Sequence, residues 1–465
     1  MNDFETYLSP FSWRYASPEM RKLWSEINRR RLWRRIWVAL ARSQSHFNLV
    51  RPEQVDDLEL HQDQVNIQRA LEIEAEIHHD LMAEVRTFAE QAPIGGGIIH
   101  LGATSMDIED NADALRLRDA LDLILKQLRS VLIEFKQKIL EYADTPIMAF
   151  THLQPAEPST LGYRLASYAQ DLLFDWDELI RIRDGIRGKG FKGAVGTAAS
   201  YVELLGPQNY AVFEQRLSEL LDLPFYPVST QTYPRKQDYT ILSALAGMGG
   251  SLYKFAFDLR LLQSPVIGEW SEPFAEKQVG SSAMPFKRNP INAEKIDSLA
   301  RALANMPQVA WHNAAHSLLE RTLDDSANRR TLLPEAFMIC DEILITTRRL
   351  VQGLNVDQIS IKRNLAAYAP FASTERLLMA LVKAGADRQK MHEILRDQAM
   401  AAWNSVRAGS PNPLAESVAH DPAILEFLNS AQIAELMQLE GYSGIAPQRA
   451  RDIASLITSK LELVH

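Results

Sequence analysis

Hydrophobic residues follow a helical period over long stretches of the chain. Between residues 110 and 144 they recur at steps of three and four, which predicts a long amphipathic helix ending before Pro146. Its apolar positions are Leu115, Leu121, Ile124, Leu125, Leu128, Leu132, Phe135 and Ile139. The same pattern predicts further long helices at about residues 159–187, 239–262, 290–318 and 327–353. Strand-like alternation is scarce, and "LPFYPVSTQTY" is too interrupted by proline to predict a strand.

Helices of this length predict an all-α protein built around an elongated bundle. Small residues recur in them, as in "ILSALAGMGGSLYKFAFDL", and suit close helix approach and burial against neighbouring subunits. We expect three helical domains: an N-terminal domain at 1–105, a central long-helix bundle at 106–356 and a C-terminal domain at 357–465. The first boundary follows the Gly-rich "APIGGGIIHLGATS", and the second follows the weaker turn signal "GLNVDQ".

Composition excludes several classes of protein. The 465 residues suffice for a large core, and a net charge of −9 argues against a nucleic-acid binder, whose affinity depends on neutralising phosphates. A single cysteine, Cys340, excludes an internal disulfide and suits a reducing compartment. The start "MNDFETYLSP" lacks the pattern of a signal peptide, and no uncharged apolar run is long enough to cross a bilayer. We therefore expect a cytoplasmic protein with no membrane role.

Three motif-like patterns predict function only weakly. "GKGFKG" at residues 188–193 has dinucleotide-binding spacing but follows a predicted helix rather than a strand, so we expect a flexible loop. His312 and His316 lack the glutamate of a hydrolytic zinc site, so we expect a partly exposed helical pair. His78 and His79 would point about 100° apart on a helix, which disfavours a shared metal ion. We expect no metal site.

The basic segment "NRRRLWRRIWVALARSQ" predicts an amphipathic helix. Trp33, Ile36, Trp37 and Leu40 form its apolar stripe, and most of its arginines lie opposite. Binding to nucleic acid or membrane is one interpretation of such a face. In an acidic chain we expect a solvated helix face instead.

Polar residues typical of catalytic sites gather in several segments. These segments are "FSWRYASPEM", "HHD" at 78–80, "HLGATS", "THLQPAEP", "QTYPRK", "ERTLDDSANRR" and "VGSSAMPFKRNPINAEK". Taken singly, each has a structural interpretation. Thr104 and Ser105 would cap a helix. His152 would be a polar loop residue, and Arg321 and Arg330 would form surface ion pairs.

Two of these segments indicate chemistry when they are taken together. In "RTLDDSANRR" we expect Ser326 to be a helix N-cap with Arg330 one turn later, and helix N-termini and arginine forks both bind phosphate. The segment from Val279 to Lys295 holds hydroxyl, ammonium, amide and carboxylate groups. Its composition fits either a solvent loop or a catalytic lid. With a histidine from elsewhere, the set fits acid–base elimination at a carboxylated substrate.

The residues "GSSAMPFKRNP" resemble the signature loop of the fumarase/aspartase superfamily, and "KRNP", "HLGATS", "THLQPA" and "RTLDDSANRR" resemble the adenylosuccinate lyase family, closest to its animal type. The likeness runs from "SWRYASPEM" to "VKAGADRQKMHE" and "GYSGIAPQRA". It implies β-elimination of fumarate from adenylosuccinate, giving AMP, and from the succinyl-carboxamide ribotide SAICAR, giving AICAR, in purine biosynthesis. It also implies a homotetramer with a shared central bundle, active sites built from three subunits, and no metal or organic cofactor.

The resemblance further implies roles for individual residues. Ser281 would be the base, with Lys287 as the activating cation and Ser282 as the alternative base. His152 would be the general acid, and Glu294 would orient a histidine or Lys287. For substrate binding, Arg14, Tyr15, Arg321, Ser326 and Arg330 would hold the phosphate, His79, Asp80 and Gln231 the base or ribose, and Thr104, Ser105, Thr151 and Asn289 the succinyl carboxylates, with His78 and Lys295 as further contacts.

Two positions depart from the family pattern. His78 stands where an arginine commonly precedes the His-Asp pair, and Lys295 stands where the animal type carries arginine. Lysine keeps the charge but loses the bidentate fork. One alternative is a lyase for argininosuccinate or a simple dicarboxylate. Such a substrate has no phosphate and would leave the phosphate-binding residues of "RTLDDSANRR" without a partner. Another is a helical scaffold without activity, for which we would expect losses at Ser281, His152 or Lys287.

Overall fold

The structure, a computed structural model, describes residues 4–438 and 442–462 and confirms the all-α class. Its helices are α1 Pro18–Leu23, α2 Glu26–His46, α3 Pro52–His61, α4 Ile67–Ile77, α5 Asp80–Gln91, α6 Ser105–Glu141, α7 Leu161–Gly185, α8 Ala199–Leu205, α9 Tyr210–Leu221, α10 Lys236–Leu262, α11 Ile291–Ala315, α12 Asp324–Gln352, α13 Gln358–Lys383, α14 Arg388–Arg407, α15 Leu414–Ala419, α16 Pro422–Leu425, α17 Ser430–Leu436 and α18 Ala446–Glu462. Short strands are β1 Pro146–Thr151, β2 Gln154–Thr160, β3 Trp270–Ser271 and β4 Asn355–Val356, and 3-10 turns lie at Pro10–Ser12 and Gly96–Ile98.

The five predicted long helices are confirmed as α6, α7, α10, α11 and α12, with ends within a few residues of the prediction. In the described part of the chain, none of the helices combines the length and apolar character needed to cross a membrane. The motif "GYSGIAPQRA" begins at Gly441, which lies outside the described residues.

The chain forms two compact units. The first takes in the described residues up to Leu128 together with Phe174–Gly250 and Ser298–Ile345. The second takes in Arg129–Leu173, Ser251–Asp297 and the described residues from Thr346 onward. All of these boundaries fall inside the five long helices. The division into domains at 1–105, 106–356 and 357–465 stays a prediction.

In the first unit, α2 packs against α3 and α9 and buries its predicted apolar stripe from Trp33 to Leu40. The expectation of a solvated arginine face is wrong for Arg30 and Arg34, which are fully buried. The reason is Glu84 of α5, which is itself buried and accepts hydrogen bonds from Arg30 at 2.9 Å and from Arg34 at 2.6 Å. Buried charges need such partners, and the helix pattern alone does not reveal them.

The segment "GKGFKG" also lies in the first unit, after α7 as predicted, but the expectation of a flexible loop is wrong. Lys189 is fully buried and forms an ion pair with Asp107 of α6. The amide of Asn111 bonds Gly190 on both sides, at 3.0 and 3.2 Å. A Cβ on Gly188 would lie 2.4 Å from the Asn111 side chain, so this close approach requires glycine.

In the second unit, β1 and β2 form an antiparallel hairpin that the sequence pattern did not predict. Its strand "QPAEPST" contains two prolines and no alternation of apolar and polar residues, so it carries no strand signal. His152 and Leu153 join the strands and both have positive φ, at 52° and 59°. This is the left-handed pair typical of a two-residue hairpin turn. Helix α13 packs against both strands, and its apolar face joins α14, α15 and α17 in a buried cluster.

Replacing Glu84 with Gln would remove the carboxylate that both buried guanidinium groups share. In the described part of the chain, only Arg30 would keep carboxylate partners, Glu26 at 3.0 Å and Glu74 at 3.5 Å. We expect a loss of about 3–5 kcal/mol in the free energy of unfolding, the usual cost of breaking one partner out of a buried ion pair. Urea unfolding measures this. The matched control is Glu90→Gln on the same helix, because Glu90 pairs with Arg69 at the exposed surface and should matter little. Equal effects of the two substitutions would contradict the role assigned to Glu84.

Candidate functional site

The start of α12 carries a cluster of cationic side chains in the first unit. Arg321, Ser326 and Arg330 all line a cavity of about 230 Å³. The prediction of Ser326 as an N-cap is wrong, because α12 begins at Asp324 and places Ser326 in its first turn. Asp324 and Asp325 explain the earlier start, since carboxylates are favourable beside the N-terminal helix dipole. Arg330 still follows Ser326 by four residues on the same helix face.

Asp325 holds the guanidinium of Arg321 in place. One carboxylate oxygen accepts a hydrogen bond from Arg321 at 2.7 Å, and the other accepts one from Arg235 at 2.6 Å. Arg235 also donates to Asp110 of α6 at 3.0 Å. Asp325, Arg235 and Asp110 are all buried. Although burial alone would raise the pKa of Asp325, the charges of Arg235 and Arg321 hold it below its ordinary value.

Arg329 extends these contacts on the buried side of α12. It donates to Asp238 of α10 at 2.8 Å and to the hydroxyl of Tyr233 at 2.7 Å, and it lies 3.1 Å from Asp113. Tyr233 in turn donates to Asp238 at 2.6 Å. We call Asp110, Asp113, Tyr233, Arg235, Asp238, Asp325 and Arg329 the buried ion network.

The "HHD" segment meets this cluster through its aspartate. Asp80 accepts a hydrogen bond from Arg330 at 2.8 Å and lies 3.5 Å from Arg29. Burial alone would raise the pKa of Asp80, but the hydrogen bond and charge of Arg330 lower it. The sequence analysis treated His78 and His79 as neighbours on one helix, but the structure separates them. His78 is the C-cap of α4 with φ at 54°, and His79 is the N-cap of α5.

The "HLGATS" segment leads into α6, with Thr104 just before the helix and Ser105 as its first residue rather than its cap. Helix α6 begins at Ser105, and Asp107 in its first turn accepts the N–H of Thr104 at 3.1 Å. Asp107 also accepts the N–H of Gly193 at 3.2 Å and the hydroxyl of Tyr201 at 3.2 Å. These bonds fix the backbone that presents Thr104 and Ser105.

Arg14 and Tyr15 lie just before two residues whose backbone is hydrogen-bonded to α12. The N–H of Ala16 donates to Glu342 at 2.9 Å, and the N–H of Ser17 donates to Asp341 at 2.5 Å. Arg14 is exposed. Arg14 and Tyr15 are not among the residues that line the 230 Å³ cavity. Gln231 is half-buried, and its N–H donates to the carbonyl of Glu320 at 3.1 Å, beside Arg321.

The hairpin of the second unit presents His152 at its tip. His152 is exposed, and the flanking residues Thr151 and Gln154 pair across the strands. Within the described part of the chain, the His152 side chain makes no hydrogen bond or ring contact. This placement suits a proton donor that meets a substrate rather than a buried structural residue.

The segment Val279–Lys295 forms a loop followed by the first turn of α11 in the second unit. The Oγ of Ser281 accepts the N–H groups of Met284 at 3.1 Å and of Ala283 at 3.3 Å. Two donors on one hydroxyl oxygen favour negative charge there. A Cβ on Gly280 would lie 2.2 Å from the carbonyl of Lys287, so the loop closes on itself at a position that requires glycine.

The other predicted residues of this loop lie around it. The amide of Asn289 donates to the carbonyl of Gly280 at 3.3 Å, and the Lys287 side chain is exposed. Glu294 and Lys295 lie in the first turns of α11, where Glu294 is 4.0 Å from Arg260. In the described part of the chain, no hydrogen bond joins His152 to Ser281 or Glu294 to Lys287.

Possible metal ligands do not gather in the same way. Within residues 4–438 and 442–462, no group of three or more His, Cys, Asp or Glu side chains could hold a metal ion. His312 and His316 stack with ring centroids 5.3 Å apart on the exposed surface. The selected segments instead place guanidinium groups at the start of α12, and hydroxyl, imidazole and ammonium groups in the second unit.

The residues that fix the positions of the predicted site residues were not selected from the sequence. Arg235 and Asp325 lie inside the motifs "QTYPRK" and "ERTLDDSANRR", but only less buried residues of these motifs were selected. Glu109 of α6, which also lines the cavity, was missed because it follows "HLGATS" within an ordinary helical pattern. The available signal was the excess of charged residues inside the motifs themselves.

Burial and the neighbouring carboxylates of Asp80 and Asp113 raise the pKa of Glu109 to about 8. Folding therefore binds a proton at this site, and stability should fall as the pH rises between about 4.5 and 8. Glu109→Gln, which mimics the protonated acid, should remove this dependence. We expect the difference in Tm, variant minus wild type, to grow from pH 5 to pH 8. A difference that stays constant over this range would contradict the raised pKa.

The chain is similar to known proteins over nearly its whole length. A family model described as "Lyase" matches residues 14–303, and one described as "Adenylosuccinate lyase C-terminus" matches residues 370–453. An adenylosuccinate lyase of Saccharomyces cerevisiae is 39% identical over 459 residues, covering 97% of this chain and 94% of that protein. One of Schizosaccharomyces pombe is 37% identical over 468 residues, covering 98% and 95%. The crystal structure of 3-carboxy-cis,cis-muconate lactonizing enzyme from Pseudomonas putida is similar with a TM-score of 0.85 and 26% identity, covering 96% of this chain and 99% of that chain. The chain belongs to the adenylosuccinate lyase family.

Proposed function

We propose that the protein is a carbon–nitrogen lyase that eliminates fumarate from adenylosuccinate and from SAICAR, leaving AMP and AICAR. The observation that carries this proposal beyond family membership is the cavity at the start of α12. Six arginines line it together with four carboxylates; the arginines are Arg29, Arg116, Arg235, Arg321, Arg329 and Arg330, and the acids are Glu26, Glu109, Asp110 and Asp113. A nucleotide phosphate is the part of these substrates that such a cavity would bind.

Unused hydrogen-bond donors support an anion in this cavity. Among the residues that the structure describes, Arg29 Nε, Arg116 Nε and Arg235 Nη2 are buried and have no hydrogen-bond partner. A buried donor without a partner is costly, and a bound phosphate would supply acceptors. Argininosuccinate and simple dicarboxylates carry no phosphate and would leave these donors unused. The donors therefore favour a nucleotide substrate over those alternatives.

Asp80 competes with a phosphate for Arg330. Its carboxylate pairs with Arg330 at 2.8 Å, so an anion already occupies one side of that guanidinium. A phosphate would either share Arg330 with Asp80, or displace Asp80 from Arg330 toward Arg29. We assign Arg14, Tyr15, Arg321, Ser326 and Arg330 to the phosphate, and His79, Asp80 and Gln231 to the base or ribose, with His78 as a further contact.

The elimination needs a base for the succinyl C–H beside a carboxylate. We assign this role to Ser281, whose oxygen already accepts two backbone N–H groups. These donors, with the Lys287 ammonium, would stabilise the alkoxide that must form before a serine can take a proton. The resulting carbanion is stabilised as an aci-carboxylate dianion. Thr104, Ser105, Thr151 and Asn289 would hold the succinyl carboxylates, with Lys295 as a further contact.

The departing nitrogen needs a proton, and we assign His152 as the acid. Its place at the tip of the hairpin leaves its ring open to a substrate. Proton transfer by a positioned side chain typically contributes about 10²–10⁴-fold to the rate. Glu294 lies beside Arg260 in this chain, and we expect it to act on a histidine or lysine of the assembled site.

We further propose a homotetramer with active sites shared between subunits, located in the cytoplasm. Exposed aromatic residues on the long helices support the assembly, since Phe174 of α7 is 78% exposed and Phe257 of α10 is 51% exposed. Large apolar side chains at this exposure are available for burial against another subunit. The lack of a bond between His152 and Ser281 in one chain fits shared sites. The single cysteine, Cys340, suits a reducing compartment.

An absorbance assay with adenylosuccinate tests the proposed activity. Turnover should release AMP and fumarate in equal amounts, and SAICAR should release AICAR and fumarate. A well-folded preparation without turnover of either substrate would overturn the proposal. Turnover of argininosuccinate instead would favour the alternative lyase.

Removing the proposed base or acid should abolish most of the activity. We expect Ser281→Ala and His152→Ala each to lower kcat by about 10²-fold or more, with unfolding unchanged, because each removes a proton-transfer group. Ser282→Ala is the matched control for the base and should retain more activity than Ser281→Ala. The reverse order would make Ser282 the base.

Mixing the two inactive variants tests the sharing of sites. If one subunit supplies Ser281 and another supplies His152, mixed tetramers of Ser281→Ala and His152→Ala contain some intact sites. Activity should then return under conditions in which subunits exchange. No recovery, with exchange shown by mass measurement of the mixed tetramers, would contradict shared sites.

Arg330→Ala should mainly raise KM, by about tenfold or more, because a hydrogen bond to a charged group is worth about 1.5–3 kcal/mol. The loss should be smaller for Arg330→Lys, which keeps the charge without the fork. Initial-rate kinetics with adenylosuccinate measure both variants. An unchanged KM in Arg330→Ala would remove this residue from the phosphate site.

A further inference from the structure

The loop that carries Ser281 is tied at its base by two side chains that have no assigned role. Gln263 directly follows α10, and Glu272 directly follows β3. Between them and the start of α11, the chain leaves and returns to nearly the same place. The side chains of Gln263 and Glu272 form hydrogen bonds at this place, and all of these bonds lie within the second unit.

Gln263 bridges the two ends of the loop with one amide. Its oxygen accepts the N–H of Glu272 at 3.0 Å, where the loop begins. Its nitrogen donates to the carbonyl of Arg288 at 2.9 Å, where the loop ends. That carbonyl is one residue after Lys287. A single side chain therefore sets the separation of the two ends of the loop.

Glu272 ties the same base to α11. Its carboxylate is buried and accepts the N–H of Ala293 at 2.6 Å, the N–H of Asn292 at 3.2 Å and the side-chain amide of Asn292 at 2.9 Å. A carboxylate at this end of a helix also favours the helix dipole. Glu272 thus fixes the first turn of α11, which carries Glu294 and Lys295.

Above this base, the loop is held by contacts within itself. The Arg288 guanidinium lies 4.9 Å from the centroid of the Phe274 ring. The backbone of Gly280 approaches both that ring and the carbonyl of Lys287. Ser281 takes its hydrogen bonds from Ala283 and Met284. The loop therefore has the contacts of one small body with its hinges at the tied base.

We propose that Gln263 and Glu272 are positioning residues for the elimination. Their side chains hold the base of the loop so that Ser281 and Lys287 move together and meet the substrate in one fixed arrangement. This inference rests on the proposed function, in which that loop supplies the base. Neither side chain needs to touch the substrate for this role.

The test compares Gln263→Met with Gln215→Met. Methionine keeps the length of glutamine but makes neither of the two base bonds. Gln215 is an exposed residue of α9 whose amide bonds Glu219 at 2.8 Å, so it controls for the same chemical change elsewhere. We expect Gln263→Met to lower kcat about tenfold, the scale of one to two neutral hydrogen bonds, with KM within about threefold. Gln215→Met should leave both values at the wild-type level.

Tryptic cleavage reports on the loop without any substrate. Lys287 and Arg288 are exposed sites beside the tied carbonyl. Releasing that carbonyl should speed cleavage there by about fivefold, the scale of one neutral hydrogen bond, with Tm unchanged. Peptide masses identify the cut. This readout stands apart from the proposed function: if the wild type turns over no adenylosuccinate, that function fails, while cleavage still reports whether Gln263 holds the loop.

Glu272 provides the second pair of variants. Glu272→Gln keeps one oxygen that accepts from the start of α11, whereas Glu272→Met keeps none. We expect kcat to fall in Glu272→Met and to recover at least in part in Glu272→Gln. Two results would overturn the proposal: a folded Gln263→Met with kcat within twofold of the wild type, or one whose loop is cleaved no faster than in Gln215→Met.

Discussion

The buried ion network of the first unit is the constraint on which the candidate site depends. Arg235 and Arg329 are buried against Asp110, Asp238 and Asp325, and none of these charges can turn toward water to find another partner. Charges in such a place are stable only when their partners stay fixed. The network therefore sets the position of α12 relative to α6 and α10. Because Asp325 also holds Arg321, it sets the geometry of the proposed phosphate clamp as well.

The proposed base, Ser281, lies in the second unit. A serine can act as a base only if its hydroxyl loses its proton. The oxygen of Ser281 already has two N–H donors, and Lys287 follows on the same closed loop. Both favour an alkoxide. We propose that they act only if the loop keeps its shape, a condition that the bonds of Gln263 and Glu272 at its base would supply. The proposed phosphate site is built largely on helices, whereas the proposed base lies on a loop whose two ends are tied together.

Sequence patterns predicted the long helices because a helical period depends on local spacing alone. The hairpin of β1 and β2 was missed because "QPAEPST" has no alternation, and its turn depends on two left-handed residues that are not glycine. The burial of Arg30 and Arg34 depends on Glu84, which lies 50 or more residues away in the sequence. Motif resemblance selected residues that would touch substrate. It could not select Asp325, Gln263 or Glu272, because their roles are contacts made in the folded chain.

The central claim is that the cavity at the start of α12 binds the phosphate of a nucleotide. A crystal structure with bound AMP tests this most directly. The account predicts the phosphate against Arg321, Ser326 and Arg330, with acceptors facing the unpartnered donors of Arg29, Arg116 or Arg235 and the Asp80–Arg330 contact altered. AMP bound with its phosphate elsewhere, and this cavity unchanged, would contradict the account.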